Sequence, residues 1–299
     1  MSGTAIAMAG LTHRFGKRTA VDDLQLKVPT GTVCGFLGRN GAGKTTTIQI
    51  LMNLLQPTAG QVEVLGMDPA RDFLELRQQV GYVAENPVLY GWMKVRELAW
   101  FTGQFYDTWN AGKVEGLIDR FGLDPEQKVK HLSRGMNAQL ALALALGHEP
   151  RLLILDEPAM GLDVLVRRDF LESIIGLIQE EGRTVFLSSH LVHEVERVAD
   201  RVAVIHQGRL VAEGTVDEVK QSVKRVVVRL SDAVGELTDI AGLRQVQGEG
   251  AQRLLTVVGY GEAQAAQIEA QGGRIVGVLD LSLEEAFVAH VSTAEGGRP

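Results

Sequence analysis

Gly38-Arg39-Asn40-Gly41-Ala42-Gly43-Lys44-Thr45 has the spacing G-x-x-x-x-G-K-[ST]. Such a loop turns backbone N–H groups inward around phosphates, and the helix that follows adds its positive end. Lys44 would neutralise β- and γ-phosphates, and the Thr45 hydroxyl would ligate Mg2+. A second constellation, Leu152-Leu153-Ile154-Leu155-Asp156-Glu157-Pro158, is an apolar run ending in two adjacent acids. Asp156 can hold Mg2+ through water, and Glu157 can polarise an attacking water. That pairing points to a nucleotide hydrolase rather than a passive nucleotide binder. The plainer alternatives are a chance glycine-rich turn and acids that only cap the next segment. The strand and helix patterns flanking the loop disfavour the first. The cost of placing charge directly after a buried strand, unless paired or metal-bound, disfavours the second.

Both constellations need a scaffold that presents them together. Val33-Cys34-Gly35-Phe36-Leu37 feeds the loop, and Thr45 to Leu55 carries apolar residues at helical spacing, the context the motif requires. The run Leu152 to Leu155 reads as a strand buried on both faces, as in a parallel sheet. Residues 4 to about 37 read as short strands separated by turns. Residues 90 to about 148 read as mostly helical, ending in Leu140-Ala141-Leu142-Ala143-Leu144-Ala145-Leu146, a buried helix. Strands return at 152–155, 184–188, 202–206 and 209–213, with helices at about 163–181 and 191–199. The alternation implies an α/β fold with a mainly parallel sheet covered on both faces. From about residue 222 the tail reads as a second, α+β unit. Its strand at 225–230, helix at 233–240, strands at 243–246 and 254–258, helix at 262–271 and strand at 274–279 match a ferredoxin-like order, β-α-β-β-α-β. A last helix is expected over 283–290, and Glu295 to Pro299 reads as a frayed end.

The 299 residues suffice for a large core or two domains, and 45% apolar content favours folding over disorder. A net charge of −7 argues against a nucleic-acid partner, which usually calls for a basic face. The single cysteine, Cys34, makes no internal disulfide and reads as a small buried core residue. The N-terminus shows no signal peptide, and no apolar run approaches the roughly 20 residues that span a bilayer. The chain reads as soluble or peripheral.

Further motifs narrow the class. Leu132-Ser133-Arg134-Gly135-Met136 precedes the long apolar helix, with Ser133 as a good N-cap at an anion-attracting helix start. Gly161-Leu162-Asp163 follows the paired acids, and Ser188-Ser189-His190 ends another strand. In this order the set resembles ATP-binding-cassette (ABC) ATPase subunits, over about residues 1–220. It is most similar to the ATPases of ABC-2-type exporters, which also share the tail motif Ser282-Leu283-Glu284-Glu285-Ala286-Phe287. The resemblance implies a phosphate-loop NTPase fold with antiparallel β and helical subdomains, two such domains facing head to tail, and ATP with Mg2+ sandwiched between them. It implies ATP contacts from Gly38, Asn40, Gly41, Ala42, Gly43, Lys44, Thr45 and Thr46. Phe15 would stack on adenine, or else be a plain core phenylalanine. Ser133 and Gly135 would reach the γ-phosphate held by the opposite subunit, Asp163 would communicate across the interface, and His190 would touch the γ-phosphate of its own subunit. The pair is a homodimer or a heterodimer with a second ABC ATPase, and an integral membrane permease is the partner that receives the work.

Two departures from the family pattern stand out. Glu85 occupies the place of a usual glutamine; a carboxylate can still bind Mg2+ or water, but adds negative charge beside a triphosphate. Arg134 and Met136 replace a usual glycine and glutamine. Residues 82–109 hold Trp92, Trp100 and Trp109 with Tyr82, Tyr90 and Tyr106. Tyr90, Trp92 and Met93 read either as a docking surface for the permease or as core of the helical subdomain, while Trp100 and Trp109 read as core. The remaining histidines show no metal-ligand spacing, and no G-x-S-x-G elbow supports serine hydrolase chemistry. The reading is an ATPase subunit with a nucleotide-binding domain at 1–220 and an accessory domain at 222–299. A soluble ABC-type ATPase acting on ribosomes or DNA is the alternative. It is disfavoured by the single cassette and by the lack of a heptad run. A small-molecule site in the tail is a further possibility.

Overall fold

The computed structural model describes residues 3–160, 167, 176, 182–230, 237, 239–248 and 251–292. The chain divides into two compact units, Met1–Leu210 and Val211–Pro299.

The first unit opens with β1 (Thr4–Phe15), β2 (Arg18–Pro29) and β3 (Val33–Leu37). Where short strands were expected, β1 and β2 each run 12 residues. The breaks in alternation that resemble turns are bulges: the β1–β2 register shifts between Met8 and Leu11, where Gly10 takes φ 62°. With β4 (Ala59–Val64) these strands form an antiparallel sheet in the order β2-β1-β4.

The second sheet has the order β5-β6-β7-β3-β8-β9, from β5 (Val80–Val83), β6 (Leu152–Asp156), β7 (Thr184–Ser189), β8 (Arg201–His206) and β9 (Arg209–Thr215). Neighbours from β5 through β8 pair in parallel. Every residue of β3, β6 and β7 is buried, as continuous apolar runs between two covered faces require. After β3, α1 (Lys44–Leu51) stops short of Leu55, because Asn53 turns the chain at φ 54°. A short α2 (Phe73–Gln79) precedes β5.

The helical part comprises α3 (Val95–Gly103), α4 (Ala111–Arg120) and α5 (Arg134–Leu146), closed over a core that includes Val95, Leu98, Val114, Ile118, Leu140 and Leu144. α6 (Val192–Glu196) is shorter than the helix expected there. The helix expected at about 163–181 lies, apart from residues 167 and 176, outside the described residues, as does the D-loop Gly161-Leu162-Asp163. Cys34 is buried, as expected.

The second unit holds α7 (Val216–Gln221), β10 (Val223–Leu230), β11 (Leu243–Gln247), β12 (Gln252–Val258), α8 (Glu262–Ala270), β13 (Gly273–Asp280) and α9 (Leu283–Ser292). Its strands run β11-β12-β10-β13, every pair antiparallel, which is the strand order of a ferredoxin-like sheet. Val226, Val228, Leu255, Val257 and Ile268 fill its core. Most of the helix expected at 233–240, and the whole of Glu295–Pro299, lie outside the described residues. No helix among the described residues is long and apolar enough to cross a membrane.

Candidate nucleotide site

The parallel register places Asp156 beside Ser188 at the C-terminal ends of β6 and β7. The Ser188 hydroxyl donates to Asp156 Oδ1 at 2.7 Å. The chain then turns sharply, with Glu157 in the left-handed region at φ 46°. A side chain rarely occupies that region unless its surroundings impose it. Here the Glu157 N–H donates to Ser188 at both the carbonyl, 3.2 Å, and the hydroxyl oxygen, 3.0 Å. Ser188 thereby fixes both acids.

Glu157 is held from two further sides. Lys44 Nζ lies 3.1 Å from its Oε1, and His190 Nδ1 lies 2.8 Å from its Oε2. Because a carboxylate only accepts, that geometry puts a proton on Nδ1 of His190. Lys44 also donates to the Gly38 carbonyl at 2.7 Å, which folds the ammonium back over its own loop. The Thr45 hydroxyl donates to Asp156 Oδ1 at 3.4 Å. Asp156 is 1% exposed, and its other oxygen, Oδ2, is buried with no hydrogen-bond partner.

Burial raises the Asp156 carboxyl above the usual range; bonds from Ser188 and Thr45 pull it down, and the nearby Glu157 and Glu85 push it up. The same environment lifts Tyr82 to about 12, through burial first and then the Asp156 and Glu85 charges. An orphaned buried carboxylate oxygen beside a hydroxyl is an all-oxygen donor set suited to a hard cation. Among the described residues no three His, Cys, Asp or Glu side chains form a complete metal cage.

Lys44, Thr45 and Glu157 open onto a cavity of about 340 Å³, whose lining does not include Asp156, Ser188 or His190. Asn40, Gly41, Gly43, Lys44, Thr45 and Thr46 form one wall, and Glu85 and Glu157 another. Gly38 and Ala42 shape the loop from behind: a Cβ on Gly38 would meet the Ile205 carbonyl at 2.7 Å, and Ala42 is buried. Phe15 stands at the rim, 51% exposed and edge-on to His13, so it is not a core phenylalanine. Ser133 caps α5, its hydroxyl accepting from the Met136 N–H at 3.2 Å, and neither it nor Gly135 lines this cavity. Asp163 lies outside the described residues.

The sequence reading misses what three residues do. Ser188 orients both acids, but only the β6–β7 register reveals it. Arg134 donates to Asn86 Oδ1 at 3.0 Å, tying the start of α5 to the residue after Glu85. Arg18 lines the cavity beside Phe15.

A second groove, of about 390 Å³, is lined by Tyr82, Val83, Tyr90, Leu98, Tyr106 and Ala145 among others. Tyr90 and Trp92 are exposed beside it. Met93 is only 8% exposed and belongs to the helical core, so it drops out of the expected surface. Trp100, expected in the core, is 67% exposed, because Val95, Leu98 and Ala99 take the buried face of α3. Trp109 packs against the core, half-buried.

A strand–loop–helix phosphate cradle, with an acid-tipped neighbouring strand turned toward it, defines a phosphate-loop nucleotide hydrolase. A family profile described as "ABC transporter" matches residues 21–160. The chain is 37% identical to the bacitracin transport ATP-binding protein BcrA of Bacillus licheniformis, over 77% of this chain and 76% of that protein. It is 34% identical to the daunorubicin resistance ATP-binding protein DrrA3 of Streptomyces coeruleorubidus, over 97% of this chain and 92% of that protein. A solved structure of the ATP-binding subunit of an ABC transporter superposes with a TM-score of 0.67 at 29% identity, covering 73% of this chain and 92% of that one. The chain belongs to the ABC transporter family, as a subunit that binds and hydrolyses ATP.

Proposed function

We propose that this protein is the ATP-driven motor of an ABC-2-type exporter, working as a pair of ATPase subunits on a separate membrane permease at the inner face of the membrane. Residues 1–220 serve as the nucleotide-binding domain and 222–299 as an accessory domain. The names of the two relatives, a bacitracin transport and a daunorubicin resistance ATP-binding protein, support drug export as the direction of work.

The observation that carries the reading is Glu157 at the end of β6, fixed by Ser188 and His190 beside the phosphate loop. In this role Glu157 orients water for in-line attack, while His190 and Lys44 stabilise charge on the γ-phosphate. Asp156, Thr45 and Glu85 are the residues that would hold Mg2+, which when bound adds positive charge at the phosphates. Phe15 supplies a ring for adenine. Ser133 and Gly135, absent from the lining of their own cavity, act on the nucleotide of the opposite subunit, with Asp163 at that interface. Tyr90 and Trp92, beside the second groove, receive the permease.

The test is Glu157→Gln. Turnover should fall by ~10²–10⁴-fold, the usual worth of general-base action, while ATP binding persists and ATP traps a dimer on size-exclusion chromatography. Hydrolysis near the wild-type rate would refute the role of Glu157.

A further inference from the structure

The β1–β2 hairpin turns through Gly16 and Lys17, which leaves Phe15 and Arg18 as a directly opposed cross-strand pair. Opposed residues point their side chains to one face of the ribbon. Both line the 340 Å³ cavity, the ring and the guanidinium side by side on one lip. The guanidinium reaches over the phosphate loop: a Cβ added to Gly41 would lie 3.8 Å from Arg18 Nη2. Arg18 is exposed and forms no ion pair among the described residues.

The charge of the cavity singles this residue out. Its lining carries two cations, Lys44 and Arg18, against two acids, Glu85 and Glu157. Lys44 is already engaged by Glu157 at 3.1 Å. Without Arg18 the lining would be net negative, a poor receptacle for a polyanion. A guanidinium fork is also the side chain best matched to phosphate oxygens.

We propose that Arg18 is a phosphate-binding residue of the nucleotide site, supplying the positive charge that offsets Glu85. The inference rests on the proposed ATP site. It extends that site from the glycine loop onto the hairpin that carries the aromatic ring.

The experiment compares wild type, Arg18→Ala, Arg18→Lys and the double variant Arg18→Ala/Glu85→Gln by equilibrium titration with ATP, ADP and adenosine, at low and high salt. Arg18→Ala should weaken ATP and ADP roughly 3–30-fold at low salt, less at high salt, and leave adenosine unchanged. Arg18→Lys should lie between wild type and Ala, and Glu85→Gln should restore part of the loss. Unchanged ATP affinity in Arg18→Ala, or an equal loss for adenosine, overturns the phosphate contact. No recovery in the double variant overturns the offset to Glu85. Circular dichroism of each variant separates these results from misfolding. A wild type that binds no ATP would instead remove the underlying site, so the two failures are told apart.

Discussion

The Glu157 carboxylate lies 3.1 Å from the Lys44 ammonium and 2.8 Å from His190 Nδ1. In the proposed role, a γ-phosphate would compete with Glu157 for the ammonium, and winning that competition would leave the carboxylate available to water. It follows that Glu157→Gln, which weakens the competitor, should bind ATP as tightly as wild type or more tightly. Asp156 has the opposite character: it is a stability cost kept in place by its task. Its carboxyl is raised by burial, so the folded state binds the proton more tightly than the unfolded one. Stability then falls as pH rises from the ordinary carboxylate range through the raised value. In EDTA and without nucleotide, Asp156→Asn should unfold at a higher temperature than wild type at pH 7, with the gap narrowing toward pH 4, and turnover should be lost. A lower midpoint at pH 7 would contradict this account. The phosphate loop and the paired acids were legible because their chemistry lies in contiguous residues. Ser188 and Arg18 were not, since each acts through a strand register that brings distant sequence together. Nor was the left-handed backbone of Glu157 visible, because two bonds from another strand impose it.

At the level of elements, the buried strands and α5 declared themselves by unbroken apolar runs, whereas the long β1 and β2 hid behind bulges that mimic turns. Composition left Met93 open between surface and core, and the structure places it in the core; Trp100, expected in the core, is exposed because other residues take the buried face of α3. His148, just beyond α5, shows what such a position can do. It is buried, stacked on Tyr106 at 4.0 Å, and its Nε2 lies 3.2 Å from the Val80 carbonyl of β5. A carbonyl only accepts, so Nε2 carries the proton. Burial lowers His148 from 6.5 to about 4. The unfolded chain takes up a proton that the folded one refuses, so stability is lost as pH falls from about 6.5 towards about 4. His148→Gln should flatten that acid limb in urea titrations at pH 7, 5.5 and 4.5. An unchanged slope would show that other groups set it.

At the scale of the whole molecule, the chain supplies an engine without a membrane span among its described helices. Its formal net charge is −7. In the proposed role, the surface that receives the permease is the groove lined by Tyr90, with Trp92, 67% exposed, next to that ring. Trp92→Ala should release the protein from permease-containing membranes in flotation assays while its thermal midpoint and basal ATPase rate stay near wild type. Unfolding of the variant, or retained membrane association, would remove Trp92 from that role.

Between that groove and Ser133 runs α5, 13 residues and so about 20 Å of rigid rod. Its far end meets β5 at Gly81, where a Cβ would strike the Ala145 carbonyl at 2.5 Å. With only hydrogen between the two backbones, there is no cushion to absorb a tilt. A side chain at Gly81 would therefore have to push α5 away from β5.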